Sequence, residues 1–143
     1  MTAMNMLYLI RLFMPDGEWQ EGSCWEALSF AVHQGLDELY LIVDVNGWQG
    51  FGSTREVASL DMDSLSARFE AFGASVLRCD GHHPESIIES LKAAPTMAKG
   101  RPIVLLLQTR KGKGISFLED KLASHYLPLT DEEYERACQE LED

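Results

Sequence analysis

The sequence predicts an α/β fold with a doubly wound, mainly parallel sheet. Short apolar runs of strand length alternate along the chain with segments in which apolar residues recur at helical spacing. Glycine or proline separates most of these segments, as expected where strands and helices are joined by turns. Such an alternation implies parallel strands joined by right-handed crossovers, with helices packed on the sheet.

Four apolar runs are predicted to be strands. Most are rich in leucine, isoleucine and valine, as is typical of strands covered on both faces. The first run carries Arg11 and ends in the turn signal Pro15-Asp16-Gly17, which is unlike a cleavable signal peptide. We therefore expect it to be a buried, central strand. The four runs are Leu7–Phe13, Leu39–Val45, Ser75–Cys79 and Ile103–Leu107.

Four helices are predicted between and after these strands. The first runs from Gly22 to Gly35 and has an apolar face at Trp25, Leu28 and Val32. The other three are marked by an apolar stripe from Met62 to Phe72, by Pro84 at a first helical position and by a Thr130–Glu133 capping box.

Length and composition indicate a single domain over residues 1–143. With 143 residues, 45% of them hydrophobic, the chain can form one domain with a core. Its formal net charge of −11 repels nucleic acid phosphates and anionic lipids, so we expect neither as a partner. Three widely spaced cysteines without a CxxC pair predict reduced thiols in a cytoplasmic protein.

Two residues at predicted strand ends suggest a metal site. Asp16 follows the first strand and Asn46 follows the second, and parallel sheets bind ligands at the carboxyl ends of their strands. Carboxylate and amide oxygens suit Mg²⁺, which completes its octahedron with phosphate oxygens and water. Gly17 allows a phosphate to approach the backbone, and the following helix would point its N-terminal amides the same way. Taken alone, both Pro15-Asp16-Gly17 and Asn46-Gly47 can equally be ordinary turns.

Around these residues the sequence resembles the transketolase branch of the thiamine diphosphate enzymes. That superfamily carries a Gly-Asp-Gly motif, followed after a helix and a strand by an asparagine, and this pair holds a Mg²⁺–diphosphate. The resemblance implies a thiamine diphosphate-binding fold of the pyrophosphate-binding type, incomplete at its N-terminal side, with thiamine diphosphate and Mg²⁺ as cofactors. The matching stretches are PDGEWQEGSCWEALSFAVHQGLDELYLIVDVNGWQGFGST, RFEAFGASVLRCDGHH and TRKGKGISFLED.

The resemblance implies cofactor contacts for five residues. Asp16 and Asn46 would be side-chain ligands of Mg²⁺, and the carbonyl of Trp48 would be a backbone ligand. Gly17 would donate its amide to the diphosphate. His125, in the stretch ASHYLPL, lies near the place where the family has a histidine on the diphosphate side.

Glu21 and Glu26 are the catalytic candidates that the resemblance implies. They match two family glutamates at the interface between cofactor sites, where these take part in a proton relay and in dimer contacts. Seen alone, both would be solvated helix residues, and their spacing puts them on different helix faces. His82 and His83 are a less suitable metal pair, because adjacent residues rarely chelate one ion together. A role in capping a loop fits these histidines better.

Two departures from the family pattern lead us to expect partner chains. Pro15 replaces the first glycine of Gly-Asp-Gly, and because proline has no amide proton we expect weakened cofactor binding. The resemblance begins in the strand just before the metal motif. The preceding family segment, and the pyrimidine-binding domain with the glutamate that activates the cofactor, would then come from other subunits. Apolar surface and a strand edge should be exposed in their absence.

These features together predict a subunit of a split transketolase-like transferase. It would bind the Mg²⁺–diphosphate end of thiamine diphosphate for two-carbon ketol or acyl transfer between small molecules, together with partner subunits. One alternative is a non-catalytic remnant of the fold that acts as an interaction or structural subunit, which Pro15 favours. Another is an E1-like thiamine diphosphate dehydrogenase component, against which the stretches KGKGISFLE and AFG…DGH favour transketolase.

Overall fold

A computed structural model describes residues 9–142 of the chain. Strands and helices alternate along it, and a small hairpin and a short helix are inserted after the second strand. The strands are β1 Ile10–Pro15, β2 Leu39–Val45, β3 Trp48–Gln49, β4 Gly52–Ser53, β5 Ser75–Asp80 and β6 Ile103–Gln108. The α-helices are α1 Gly22–His33, α2 Thr54–Ala58, α3 Met62–Phe72, α4 Pro84–Ala98 and α5 Asp131–Glu142, with 3₁₀-helices at Asp16–Gln20 and Leu122–His125.

The main sheet contains four parallel strands in the spatial order β1-β2-β6-β5. In the register of β1 with β2, Met14 lies opposite Val43 and Pro15 lies opposite Asp44. The next pairing sets Val45 of β2 opposite Gln108 of β6. All four strands therefore end along one edge of the sheet, and the predicted doubly wound α/β fold is confirmed.

Helices cover both faces of the central strands. One face packs on α1 and α3 through a core cluster that includes Trp19, Leu65 and Phe69. The other face packs on α4, where Ala94 and Ala98 form a buried cluster with Tyr40 of β2 and Ile103 of β6. Because β6 lies between two strands and beneath helices on both faces, every residue from Ile103 to Leu107 is buried.

The first strand differs from its prediction. We expected a buried, central strand at Leu7–Phe13, but β1 spans Ile10–Pro15 and lies at one edge of the sheet, whose strand order is β1-β2-β6-β5. Most of its apolar side chains are exposed, Ile10 by 51% and Phe13 by 68%, whereas Met14 packs against the core. Leu7 and Tyr8 lie outside the described residues. Apolar composition alone does not separate a central strand from an edge strand that lacks a neighbour.

Two connections are more structured than the sequence indicates. A 3₁₀-helix at Asp16–Gln20 lies in the connection between β1 and α1, and α1 begins at Gly22 as predicted. The glycine-rich segment after β2 forms the β3–β4 hairpin and leads into α2. The remaining helix signals are confirmed, because Pro84 opens α4 and Thr130 and Glu133 form reciprocal hydrogen bonds at the start of α5.

Within residues 9–142, no helix combines the length and apolar character needed to cross a membrane. Cys24, Cys79 and Cys138 are free thiols, as their spacing predicted. Burial is the largest cause that raises the pKa of both Cys24 and Cys79 above the ordinary value. These two thiols are therefore less reactive than exposed ones.

Candidate functional site

The carboxyl ends of β1 and β2 meet at a buried aspartate. Asp16 has 0% of its surface exposed, and its Oδ2 accepts a 2.9 Å hydrogen bond from the Gly47 amide in the loop after β2. The hydroxyl of Thr54, also fully buried, lies 3.3 Å from the same oxygen. One carboxylate oxygen thus joins the loops that follow two neighbouring strands.

The second oxygen of Asp16 is buried and has no hydrogen-bond partner among the described residues. Burial is the largest influence on this carboxyl and raises its pKa. Hydrogen bonds from Gly47, Thr54 and the Gly17 backbone oppose this shift, and the negative charge of Asp44 raises the pKa further. An ionised carboxylate with an unpaired oxygen is costly in such a place. A cation bound at that oxygen would compensate the charge and favour ionisation.

Asn46 is fixed at both ends of its side-chain amide. Its Oδ1 accepts a 2.9 Å hydrogen bond from the Trp48 amide, and its Nδ2 donates a 2.9 Å hydrogen bond to Asp44 Oδ2. Gly47, which bonds to Asp16, follows with a φ of +79°, a conformation that favours glycine. The structure therefore brings the loop of Asn46 against Asp16, while the Asn46 oxygen keeps a second lone pair for another partner.

A pocket of about 250 Å³ lies between the end of β1 and the β3–β4 hairpin, and neither Asp16 nor Asn46 is among its lining residues. A Cβ added at Gly17 would lie 3.0 Å from the Cβ of Gln49, so a larger residue at this position would push the two loops that form the pocket apart by a few tenths of an ångström. Three residues that the family resemblance singles out, Gly17, Trp48 and His125, are together in its lining. The full lining is Pro15, Gly17, Glu18, Trp48, Gln49, Gly50 and His125.

His125 reaches this pocket from a distant part of the chain. It ends the 3₁₀-helix Leu122–His125, and its ring lies 4.9 Å from the ring of Tyr126. The Tyr126 hydroxyl donates a hydrogen bond to the carbonyl of Gly50 in the β3–β4 turn. This contact attaches the segment that carries His125 to the hairpin that begins at Trp48.

The available ligand atoms suit magnesium held mainly by a diphosphate. Residues 9–142 contain no cluster of three or more histidine, cysteine, aspartate or glutamate side chains that would bind a metal unaided. One buried carboxylate, an amide oxygen and a backbone carbonyl are few and hard ligands. Mg²⁺ accepts such a set because phosphate oxygens and water complete its octahedron. The residues present therefore fit a Mg²⁺–diphosphate group better than a metal bound only by protein.

The two catalytic candidates lie away from the pocket lining. Glu21 precedes α1 and Glu26 lies within it, and both are exposed. Their assignment remains a prediction that depends on another chain. His82 has the loop role expected for it, since its Nε2 accepts a 2.7 Å hydrogen bond from the Arg110 amide. His83 is exposed immediately before α4 and makes no side-chain capping bond.

Sequence reasoning missed three residues around this site. Thr54, the first residue of α2, contacts Asp16, and Asp44, in the penultimate position of β2, contacts Asn46. Trp19 is 2% exposed and packs edge-on against Trp25 and Phe69 beneath the site. The only sequence signal for Asp44 was a charged residue inside an otherwise apolar strand, which is uncommon unless the charge is paired.

A family model described as "Transketolase, thiamine diphosphate binding domain" matches residues 4–142. The chain belongs to this family. Among curated relatives, it is 42% identical over 138 residues to the 6-deoxy-6-sulfo-D-fructose transketolase subunit SqwG of a Clostridium species (strain MSTE9), covering 96% of the chain and 48% of the relative. It is 38% identical to an apulose-4-phosphate transketolase subunit of Actinobacillus succinogenes, covering 90% of the chain and 45% of the relative.

A solved structure confirms the fold of the family. The transketolase of Campylobacter jejuni superposes with a TM-score of 0.82 at 32% identity, over 94% of the chain and 21% of that protein. The recognition of a transketolase-type thiamine diphosphate-binding domain from the sequence is thus confirmed. The chain spans about half the length of the two curated subunits that it matches.

Proposed function

We propose that this chain is a subunit of a split transketolase-like transferase. It binds the Mg²⁺–diphosphate end of thiamine diphosphate and takes part in the transfer of a two-carbon ketol unit between small molecules. The observation that carries the proposal is the buried Asp16 carboxylate, whose Oδ1 has no hydrogen-bond partner within residues 9–142 although Oδ2 is bonded to Gly47. Family membership supports a thiamine diphosphate site at this position of the fold.

The residues of the chain would bind and orient the cofactor. Asp16, Asn46 and the Trp48 carbonyl would hold the magnesium ion, and Gly17 would donate its amide to the diphosphate. His125 would contact the diphosphate from the opposite wall, since it lines the same pocket as Gly17. When bound, thiamine diphosphate supplies the carbanion chemistry, and the protein supplies position and charge.

The exposed surface and the names of the relatives support the proposal of partner subunits. The curated relatives are themselves named as subunits. On this chain, β1 leaves Ile10 and Phe13 exposed at the sheet edge, and such an edge is suited to pairing with another strand. We propose that a partner covers this edge and supplies the pyrimidine-binding domain. Glu21 and Glu26 would then act at the contact with a partner.

A non-catalytic remnant of the fold remains the second candidate, and Pro15 is the observation that favours it. Proline lines the pocket where the family has glycine, and it has no amide to donate. Its φ of −74° is nevertheless ordinary for proline, so the end of β1 is not distorted. The two candidates differ in one property that can be measured, which is metal-dependent cofactor binding.

The deciding experiment measures thiamine diphosphate binding by calorimetry, with Mg²⁺ and with EDTA, on the chain and on its co-purified complex. Asp16→Asn keeps the shape of the side chain and removes its charge, and it should abolish the Mg²⁺-dependent part of binding. Asp63→Asn is the control, because Asp63 forms only an exposed ion pair with Arg78. Equal affinity in wild type and Asp16→Asn would refute the metal role, and no binding at all in the complex would favour the remnant.

A further inference from the structure

Asp44 connects the candidate metal ligand Asn46, which follows β2, to Thr109, which follows the neighbouring strand β6. Its Oδ2 accepts a hydrogen bond of 2.9 Å from Asn46 Nδ2. Its Oδ1 accepts a hydrogen bond from the hydroxyl of Thr109, the residue after β6. The Thr109 amide also donates to the Val45 carbonyl at 3.3 Å, so backbone and side chain both attach it to β2. Asp44 is thus held between a fixed donor and the Asn46 amide.

The orientation of the Asn46 amide is determined by these neighbours. The two ends of a side-chain amide have nearly the same shape, but only the oxygen can bind a cation, whereas the NH₂ end carries two donors. Both oxygens of Asp44 accept hydrogen bonds, so the carboxylate requires the NH₂ end of Asn46 to face it. At the other end the Trp48 amide, a donor, requires the oxygen. Both contacts select the same orientation.

We propose that Asp44, anchored by Thr109, is the positioning residue for Asn46. It keeps the Asn46 oxygen directed away from β6 and towards the loop that Gly47 and Trp48 form beside Asp16. This inference rests on the proposed function, in which that oxygen binds Mg²⁺. Residues behind metal ligands that fix ligand orientation typically contribute about 10- to 100-fold to metal affinity.

The alternative is that Asp44 only joins two strands. Under that role, loss of its hydrogen bonds would lower stability but would leave the Asn46 amide and the metal affinity unchanged. Two variants separate these roles. Asp44→Asn keeps the volume and lets an NH₂ group face Asn46, which permits the reversed amide. Thr109→Val keeps the shape and the backbone bond to Val45 but removes the hydroxyl, and Thr109→Ser restores that hydroxyl.

The first measurement uses no metal. Side-chain amide proton exchange of Asn46 is followed by NMR on the ¹⁵N-labelled full chain, with thermal melts to verify folding. We expect slow exchange in wild type and in Thr109→Ser, and clearly faster exchange in Asp44→Asn and Thr109→Val. Unchanged exchange in both of these folded variants would overturn the proposal.

The second measurement is calorimetry with Mg²⁺ and inorganic pyrophosphate as the probe. We expect about 10- to 100-fold weaker binding in Asp44→Asn and Thr109→Val, rescue by Thr109→Ser, and wild-type affinity in the exposed control Asp63→Asn. Faster Asn46 exchange with unchanged Mg²⁺-dependent affinity would overturn the positioning role. If the wild-type chain and its complex bind no Mg²⁺–pyrophosphate, the proposed function fails, and the exchange rates still decide whether Asp44 orients Asn46.

Discussion

The Gly47 amide donates a 2.9 Å hydrogen bond to Asp16 Oδ2 and thereby joins the ends of two parallel strands. The bond uses one oxygen of the carboxylate, and Oδ1 is buried without a hydrogen-bond partner in the part of the chain that the structure describes. A structural turn aspartate would be expected to direct both oxygens to backbone donors or to water. Because buried polar atoms are nearly always hydrogen-bonded, the unpaired oxygen suits a ligand that is held in position for a cation.

The first prediction concerns stability against pH in EDTA. Burial raises the pKa of Asp16 above its ordinary value of 3.8. The folded chain therefore holds this proton more tightly than the unfolded chain, and the resulting stabilisation is complete below pH 3.8 and lost as pH rises through the folded pKa. Thermal melts should show this loss. Added Mg²⁺ and pyrophosphate should restore stability near neutral pH, by about 2.7 kcal/mol at 100 times the dissociation constant.

Asp16→Asn serves as the matched variant for that measurement. It cannot ionise, so the part of the pH dependence that belongs to Asp16 should disappear, and the variant should be at least as stable as wild type in EDTA at neutral pH. Mg²⁺ and pyrophosphate should no longer raise its melting temperature. Stabilisation by Mg²⁺ equal to that of wild type would show that the metal binds elsewhere.

The second prediction tests Thr54 as a support for Asp16. Its hydroxyl lies 3.3 Å from Asp16 Oδ2 and 3.0 Å from the Leu60 carbonyl, and the residue is fully buried. Thr54→Val removes the donor without changing the shape, so we expect a loss of about 1–3 kcal/mol in the free energy of unfolding. Denaturant titration measures this loss. Thr54→Ser keeps the hydroxyl and should lose less, and equal losses in both variants would assign the effect to packing.

The third prediction concerns Pro15, the departure from the family motif. Because its φ of −74° suits proline, Pro15→Gly should lower stability by about 0.4–1 kcal/mol through the greater freedom of the unfolded chain. The new amide should tighten Mg²⁺-dependent thiamine diphosphate binding or leave it unchanged. Calorimetry and denaturant titration on the same samples measure both effects. Weaker cofactor binding would mean that this protein uses the proline itself.

The fourth prediction tests whether the β3–β4 turn positions His125. A Cβ at Gly50 would lie 2.5 Å from the Tyr126 hydroxyl oxygen, so Gly50→Ala should displace the segment that carries His125 and weaken cofactor binding. Adding Tyr126→Phe removes the clashing oxygen and should recover part of the affinity. The double-mutant cycle should give a coupling of about 0.5–3 kcal/mol. Additive effects of the two substitutions would show that the contact between Gly50 and Tyr126 does not position His125.

The interior strands could be predicted from the sequence because their environment matches their composition. Leu39–Val45 has the predicted bounds, and β6 extends one residue beyond the predicted Ile103–Leu107. Both are covered on two faces, which selects continuous apolar runs. The first strand has the same composition but lies at an edge. Whether its side chains are buried depends on which other strands and helices lie beside it, and the sequence of the strand does not determine that.

The candidate site was predictable only where it follows strand ends. Asp16 and Asn46 could be placed there because parallel strands end along a common edge. The support from Asp44 could not be foreseen, because it depends on the strand order that sets β6, and hence Thr109, beside β2. Likewise, Thr54 reaches Asp16 only because the β3–β4 hairpin turns the chain back towards β1.

The last prediction is that the exposed edge of β1 mediates association. Phe13 is 68% exposed and Ile10 is 51% exposed, and β1 pairs with β2 on one side only among the described residues. The chain alone should therefore self-associate or bind a hydrophobic dye, and with its partner it should form a defined heteromer that has ketol-transfer activity. Sedimentation and dye fluorescence test the first expectation, and co-purification followed by an activity assay tests the second.

Lysine substitutions at Phe13 and Ile10 make this test specific. Charged residues on an edge strand oppose further strand pairing. Each lysine also makes the net charge of −11 less negative. That change weakens the repulsion between chains, so by itself it would increase self-association. Less self-association in the lysine variants would therefore result from the edge and not from overall charge. Ile88→Lys is the control, because Ile88 is 49% exposed on α4. A wild-type chain that stays monomeric, binds no dye and turns over substrate alone would contradict the split-enzyme proposal.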